Sequence, residues 1–302
     1  MQTGRANPSP CLLPPDYSRM TVGLIALLLL AGVAAGTFGA VLGLGGGILV
    51  VPILVLGAGV PMHSAVATSL LCVIATSSGA AGKNIERGFA NVRLGIALEL
   101  FTVIGAIAGG AIAGILSGSV LTALFAAVLI AIAIPMARGH VDVELDESAP
   151  LTPSSPLAAS MRSVYLDPGA AREVRYQPRR LPLAMGISSF AGVLSGLLGI
   201  GGGLVIVPAL VKLCGVPMKA AAATSNFMIG VTGVASALIY YGRGDFSPLV
   251  AAATALGVFA GSRAGAALAG RLDPTHTRRV FAGVMVLMAI QMILKACGWW
   301  FA

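Results

Sequence analysis

Long apolar runs separated by short polar breaks fill most of the chain, and they fall into two sets of five. The first set covers roughly 21–42, 47–60, 63–82, 94–116 and 119–137. The second covers roughly 182–198, 203–216, 219–241, 248–270 and 279–297. Runs of about 20 apolar residues predict membrane-spanning helices. One run in each set is short. Gly47 to Val60 is 14 residues, about 21 Å as a helix, against a hydrocarbon core of about 30 Å.

The two sets repeat each other. Leu42-Gly43-Leu44-Gly45-Gly46-Gly47, Val51-Pro52, Val60-Pro61-Met62 and Ala67-Thr68-Ser69 return 156 positions later. The second copy reads Leu198-Gly199-Ile200-Gly201-Gly202-Gly203, Val207-Pro208, Val216-Pro217-Met218 and Ala223-Thr224-Ser225. From Leu42 to Ser69, 17 of 28 positions match without a gap. The match continues through Thr76 and Thr232, Arg87-Gly88 and Arg243-Gly244, and Gly105 and Gly261. A whole half is therefore duplicated. The expected fold is an all-α integral membrane protein of two five-segment repeats, 21–137 and 182–302, with eight to ten spans.

Two stretches differ in composition. Residues 1–20 read as a disordered, proline-containing tail. Residues 138–181 read as a polar, mostly unstructured linker, acidic from Asp142 to Glu147 and closing on Arg172, Arg175, Arg179 and Arg180. The run at 21–36 resembles a signal peptide. It aligns, however, with the run that opens the second half, which argues against cleavage.

Composition supports the bilayer as solvent: 57% of residues are hydrophobic and 10% charged, against about 25% charged in soluble domains. The net charge of +8 gathers in loops, which argues against nucleic-acid binding and for a positive-inside bias. With ten crossings, 15 of the 19 Lys and Arg residues fall on one side, the linker's. With the short segments re-entrant the split is 13 against 6. Ten crossings, a cytoplasmic linker and a cytoplasmic-membrane location are expected. An odd number of crossings per half then inverts one repeat against the other. Cys11, Cys72, Cys214 and Cys297 form no paired motif, so neither a zinc site nor a disulfide framework is expected.

The glycine runs are the candidate chemistry. Glycines followed by a short segment with Pro52 or Pro208 predict a helix that breaks and restarts. Such backbone must be buried in protein or line a wet cavity. A restarted helix presents N–H groups, an anion site in which glycine permits close approach. The candidate binding residues are Gly45, Gly46, Gly47, Gly201, Gly202 and Gly203, with Thr68, Ser69, Thr224, Ser225 and Asn226 as hydroxyl and amide donors. Packing is the competing role for the glycines, as Gly105-x-x-x-Gly109 and Gly110-x-x-x-Gly114 illustrate. The hydroxyls can also bond back to their own helix. Glu99 and Arg263 are the clear charges within spans and candidates for coupling or the anion path. Both lie near enough to loops to snorkel. His63 and Lys219 open the third segments.

These motifs resemble the TauE/SafE family of membrane permeases, also described as sulfite exporters. The resemblance rests on Gly43–Gly47 with Val51-Pro52, on Gly199–Gly203 with Val207-Pro208, and on the paired Ala-Thr-Ser. It implies transport of sulfite, sulfoacetate or another sulfur-containing anion across the cytoplasmic membrane. Family members are described with seven to nine spans. The expected function is a secondary transporter working by alternating access, without a cofactor. Its partners are the anion, the bilayer and, in an oligomer, further copies of the chain. No ATP-binding motif is present. The rivals are an intramembrane enzyme at Ser195, which needs a base beside it, a cation carrier and a non-transporting scaffold.

Overall fold

The computed structural model describes residues 22–41, 47–86, 88–137, 160–167, 172–268 and 274–297. The expected tail at 1–20, Gly45, Gly46 and much of the linker lie outside the described residues. Helices α1 (Val22–Val41), α2 (Gly47–Pro52), α3 (Met62–Glu86), α4 (Val92–Ile115) and α5 (Gly118–Ala137) form the first half. Helices α6 (Leu181–Leu198), α7 (Gly203–Lys212), α8 (Met218–Gly242), α9 (Pro248–Leu268) and α10 (Pro274–Ala296) form the second. Each matches one apolar run. By length and composition, α1, α4, α6, α8 and α10 each hold a stretch able to cross a bilayer. Their outward faces carry Leu30, Leu100, Ile104, Phe190 and Leu238, all exposed, a surface that water disfavours and lipid accepts.

The two short helices differ in burial. All six residues of α2 are buried. Pro52 has no N–H to close the next turn, and the helix widens into a π-turn over Ile53–Gly57. Lys295 Nζ donates to a carbonyl of that turn, Val55 O, at 2.5 Å. Pro208, expected to interrupt its segment in the same way, does not: α7 runs through it from Gly203 to Lys212.

Helix contacts are reciprocal between the halves. α1 packs on α9 as α6 packs on α4, and α3 meets α9 as α8 meets α4. The pairs α3–α8 and α5–α10 join equivalent helices to each other. Glycine makes the closest pairs. A Cβ at Gly105 or Gly109 of α4 would overlap the carbonyl oxygens of Ser189 or Val193 of α6. At the matching positions, Gly261 and Gly265 of α9 meet Val33 and Thr37 of α1. Both pairs run parallel, since the residue numbers rise together. α3 and α8 cross the other way: Ser77 lies against Asn226 and Gly230, and Ile74 against Gly233.

The linker departs from expectation. Strands β1 (Ser163–Asp167) and β2 (Arg172–Tyr176) form an antiparallel hairpin, with Tyr165 opposite Val174. Met161, Tyr165 and Tyr176 are buried, and Tyr165 packs edge-on against Phe89 at 5.6 Å. These apolar side chains give a polar stretch something to bury, so this part of the linker is ordered rather than unstructured.

Candidate functional site

The two glycine breaks meet at Ser69. Its Oγ stands 2.9 Å from the Gly47 carbonyl oxygen and 2.8 Å from that of Gly199. One hydroxyl on α3 thus joins the start of α2 to the end of α6, across the two halves. The second break has the backbone glycine makes possible: Gly199, Gly201 and Gly202 have φ of 71°, 76° and 71°. α7 restarts at Gly203, and its first N–H groups have no helical acceptor. Side chains from both halves close around the breaks. A Cβ at Gly201 would come within 2.9 Å of Val73 on α3 and 2.8 Å of Ile229 on α8. Gly201, Gly202 and Gly203 are buried. Gly47, also buried, is wedged against Val73 as Gly203 is against Ile229.

The hydroxyls beside the breaks divide. A Cβ on Gly47 would stand 3.1 Å from Ser69 Oγ, and one on Gly203 would stand 3.1 Å from Ser225 Oγ. The placements match, yet Ser225 Oγ is buried with no hydrogen-bond partner among the described residues. Thr68 Oγ1 is also buried and unpartnered. Thr224 Oγ1 is engaged, accepting from the Asn91 backbone N–H at 2.9 Å. Asn226 is half-buried, and its carbonyl accepts from Ser77 Oγ.

The two charges part company. Glu99 is buried on α4, and its Oε1 accepts from Thr232 Oγ1 of α8 at 2.7 Å. Arg263 is exposed on α9, its guanidinium 5.3 Å from the Phe259 ring centroid. His63 ties helix ends together: Nε2 lies 3.0 Å from the Ala113 carbonyl, which requires the proton on that nitrogen. Ser195 Oγ is buried and unpartnered among the described residues, so none of their side chains serves it as a base. No cluster of three metal-ligating side chains occurs among the described residues.

Two residues at the site's edge escaped the sequence reading. Asn91 caps α4, its Oδ1 accepting from Leu94 N at 3.1 Å, while its Nδ2 donates to Met161 O at 2.9 Å. It thereby links Thr224 to the hairpin. An Asn directly before an apolar helical run is a readable cap signal. Arg243 joins α8 to α4, donating to Gly110 O at 2.6 Å and to Asp245 Oδ2 at 2.6 Å. Its recurrence as Arg87 in the first half was the available clue.

The family model described as "Sulfite exporter TauE/SafE" matches residues 28–292. The chain belongs to the TauE/SafE family. It is 29% identical over 290 residues to a probable membrane transporter protein, MJ0441, of Methanocaldococcus jannaschii, covering 90% of this chain and 96% of the relative. It is 26% identical over 285 residues to the probable membrane transporter protein YunE of Bacillus subtilis, covering 89% and 97%. A Haemophilus influenzae relative with the same description is 36% identical over 124 residues, 37% of this chain and 46% of the relative. No solved structure matches. The TauE/SafE match spans both glycine breaks and all ten helices at least in part, so the protein is a membrane transporter with multiple spans.

Proposed function

We propose that this transporter moves a small sulfur-containing anion, sulfite or an organosulfonate, by alternating access between oppositely oriented halves. The observation that carries the reading is the Ser69 hydroxyl, which holds Gly47 and Gly199 together where the halves meet. Broken helices at a repeat interface are the usual place for a transporter site. The unpartnered hydroxyls of Thr68 and Ser225 supply buried donors beside the breaks. Gly45, Gly46, Gly47, Gly201, Gly202 and Gly203 let an oxyanion approach backbone N–H groups. The family's description as sulfite exporters supports the substrate class.

The antiparallel crossing of α3 and α8 supports the opposite orientation of the halves. A two-fold rotation that exchanges two equivalent helices and reverses their direction has its axis perpendicular to them, in the membrane plane. The 15-of-19 charge bias supports a cytoplasmic linker in the cytoplasmic membrane.

The test is a liposome uptake screen with sulfite, thiosulfate, sulfate and sulfonates. Saturable uptake of sulfite or a sulfonate is expected, and equal indifference to all four sinks the substrate. The overlaps at Gly47 and Gly201 favour packing as a second role for the glycines. The pair Gly46→Leu with Gly202→Leu should abolish transport in protein that still purifies as a folded species. Retained transport would remove Gly46 and Gly202 from the site.

A further inference from the structure

Glu99 sits eight positions into α4, about 11 Å along the helix, at the contact between α4 of the first half and α8 of the second. It is 7% exposed. One carboxyl oxygen accepts from Thr232; the other, Oε2, is buried and has no partner among the described residues. A carboxylate in that position needs a countercharge.

Among the described residues, the packed elements supply none nearby. α6 (Leu181–Leu198) contains no titratable residue. On α8 the titratable groups are Lys219, Tyr240 and Tyr241. Lys219 is 13 positions before Thr232, about 20 Å along the axis. Tyr240 donates to Gly196 O, and Tyr241 is exposed. On α3 they are His63, Cys72, Lys83 and Glu86. His63 is held at Ala113, a full 14 positions along α4 from Glu99. Cys72 is a buried free thiol, and Lys83 and Glu86 lie in the last turn of α3. On α4 itself, Arg93 donates to Ser160 O, and Arg243 reaches α4 at Gly110, about 16 Å beyond Glu99.

The duplication sharpens the point. Thr232 corresponds to Thr76, which bonds back to Cys72 O and Val73 O of its own helix. Glu99 corresponds to Ala255. The second half's framework therefore repeats the threonine but not the acid at the matching position.

From this placement we infer that Glu99 is a proton-carrying site at the interface of the halves, with the proton on Oε2. When the halves rearrange and water from one side of the membrane reaches Oε2, the proton leaves to that water as hydronium and the carboxylate takes the charge. When the opposite arrangement opens Oε2 to the other side, the carboxylate takes a proton from hydronium there and closes again onto Thr232. One proton then moves per cycle of anion transport, a statement that rests on the anion-transport reading. The protonation of Glu99 itself does not.

Two measurements test it. In liposomes holding a trapped pH dye, an imposed sulfite gradient should drive proton movement through the wild-type protein. Glu99→Gln should keep at least a third of the downhill sulfite flux and lose the accompanying pH change at least tenfold. Equal proton movement in Glu99→Gln overturns the proposal. The second measurement needs no anion. Infrared spectra of the purified wild-type protein at neutral pH should show a carboxylic-acid carbonyl band that is missing in Glu99→Gln. The band should fade as pH rises. A spectrum lacking the band, or a band that responds to sodium and not to pH, overturns the proposal. Wild-type protein that moves no sulfur anion but shows the band would defeat the substrate and leave the proton site standing.

Discussion

Ser69 Oγ stands 2.8 Å from the carbonyl oxygen of Gly199, 130 residues away in the other half of the chain. The same serine in the second repeat, Ser225, has no partner among the described residues. Equivalent side chains thus have different surroundings, and on the proposed function they separate a structural bond from a ligand contact. Ser69→Ala should lower stability by about 0.6–2 kcal/mol, the span of values for polar bonds between membrane helices. Ser225→Ala breaks no bond and should leave the melting temperature in detergent within about 2 °C of wild type. On the proposed function its sulfite transport should nonetheless fall several-fold, because that reading makes the anion the partner of this unpartnered donor. Unchanged transport in Ser225→Ala would remove that serine from the site.

The glycine contacts predict a second contrast. Gly105 of α4 lies on the Ser189 carbonyl, and Gly261 of α9 lies on that of Val33. A methyl group at either position must push backbone apart, and overpacking of this kind costs about 1–3 kcal/mol. Gly186, also within α6, has nothing within 4 Å of where a Cβ would stand. Gly105→Ala and Gly261→Ala should each lower the melting temperature by similar amounts. Gly186→Ala should leave it unchanged or raise it slightly, through the helix preference of Ala over Gly. Thermal unfolding in detergent decides this. Unequal losses at Gly105 and Gly261 would break the equivalence of the two contacts.

The helices were legible in the apolar runs because lipid leaves the backbone few alternatives to a helix. Their ends were less so. α3 continues past the expected residue 82 to Glu86, since a polar last turn can emerge into water without ending the helix. α10 begins at Pro274, a residue whose fixed φ suits the first helical turn but which carries no apolar signal. The meeting of the glycine breaks was readable from their duplication, whereas Ser69 as the joint was not. Its two acceptors are backbone carbonyls far apart in sequence, and side-chain pattern carries no record of them. The hairpin was hidden for a related reason: strands of five residues give too little alternation to stand out, and Tyr165 gains its burial from Phe89, outside the linker. Glu99 was visible as a charge in an apolar run; its one-sided partnership with Thr232 was not.

Asn91 does two jobs that one substitution can divide. Its Oδ1 caps α4 through Leu94 N, and its Nδ2 holds the hairpin through Met161 O. Asn91→Ala loses both and should destabilise the protein by about 1 kcal/mol from the cap alone. Asn91→Asp keeps a capping oxygen and replaces the donor with an acceptor facing a carbonyl. It should hold global stability near wild type while exposing the hairpin. Limited proteolysis within 160–177 should therefore quicken in both variants, but the melting temperature should fall chiefly in Asn91→Ala. Equal protection of wild type and Asn91→Asp would show that the aromatic contacts at Tyr165 hold the hairpin without this bond.

His63 and Lys219 occupy the same place in the two repeats, at the start of α3 and of α8. Because α3 and α8 cross antiparallel, those two starts lie at opposite ends of the pair. If the helix axes run across the membrane, the starts face opposite sides of it. Single cysteines at the two positions, in a chain with Cys11 and Cys297 replaced, convert that relationship into a measurement. A thiol reagent that does not cross the membrane should label one of His63→Cys and Lys219→Cys in right-side-out vesicles and the other in inverted vesicles. Cys72 and Cys214 are buried and contribute little background. The eight-crossing arrangement, with α2 and α7 as re-entrant hairpins, gives both halves the same orientation. It therefore requires both cysteines to be labelled from one side. That result would contradict the opposed directions of α3 and α8 and end the proposal that the halves are inverted. Labelling from opposite sides would place the two glycine breaks in oppositely oriented halves, the arrangement proposed for alternating access about a shared anion.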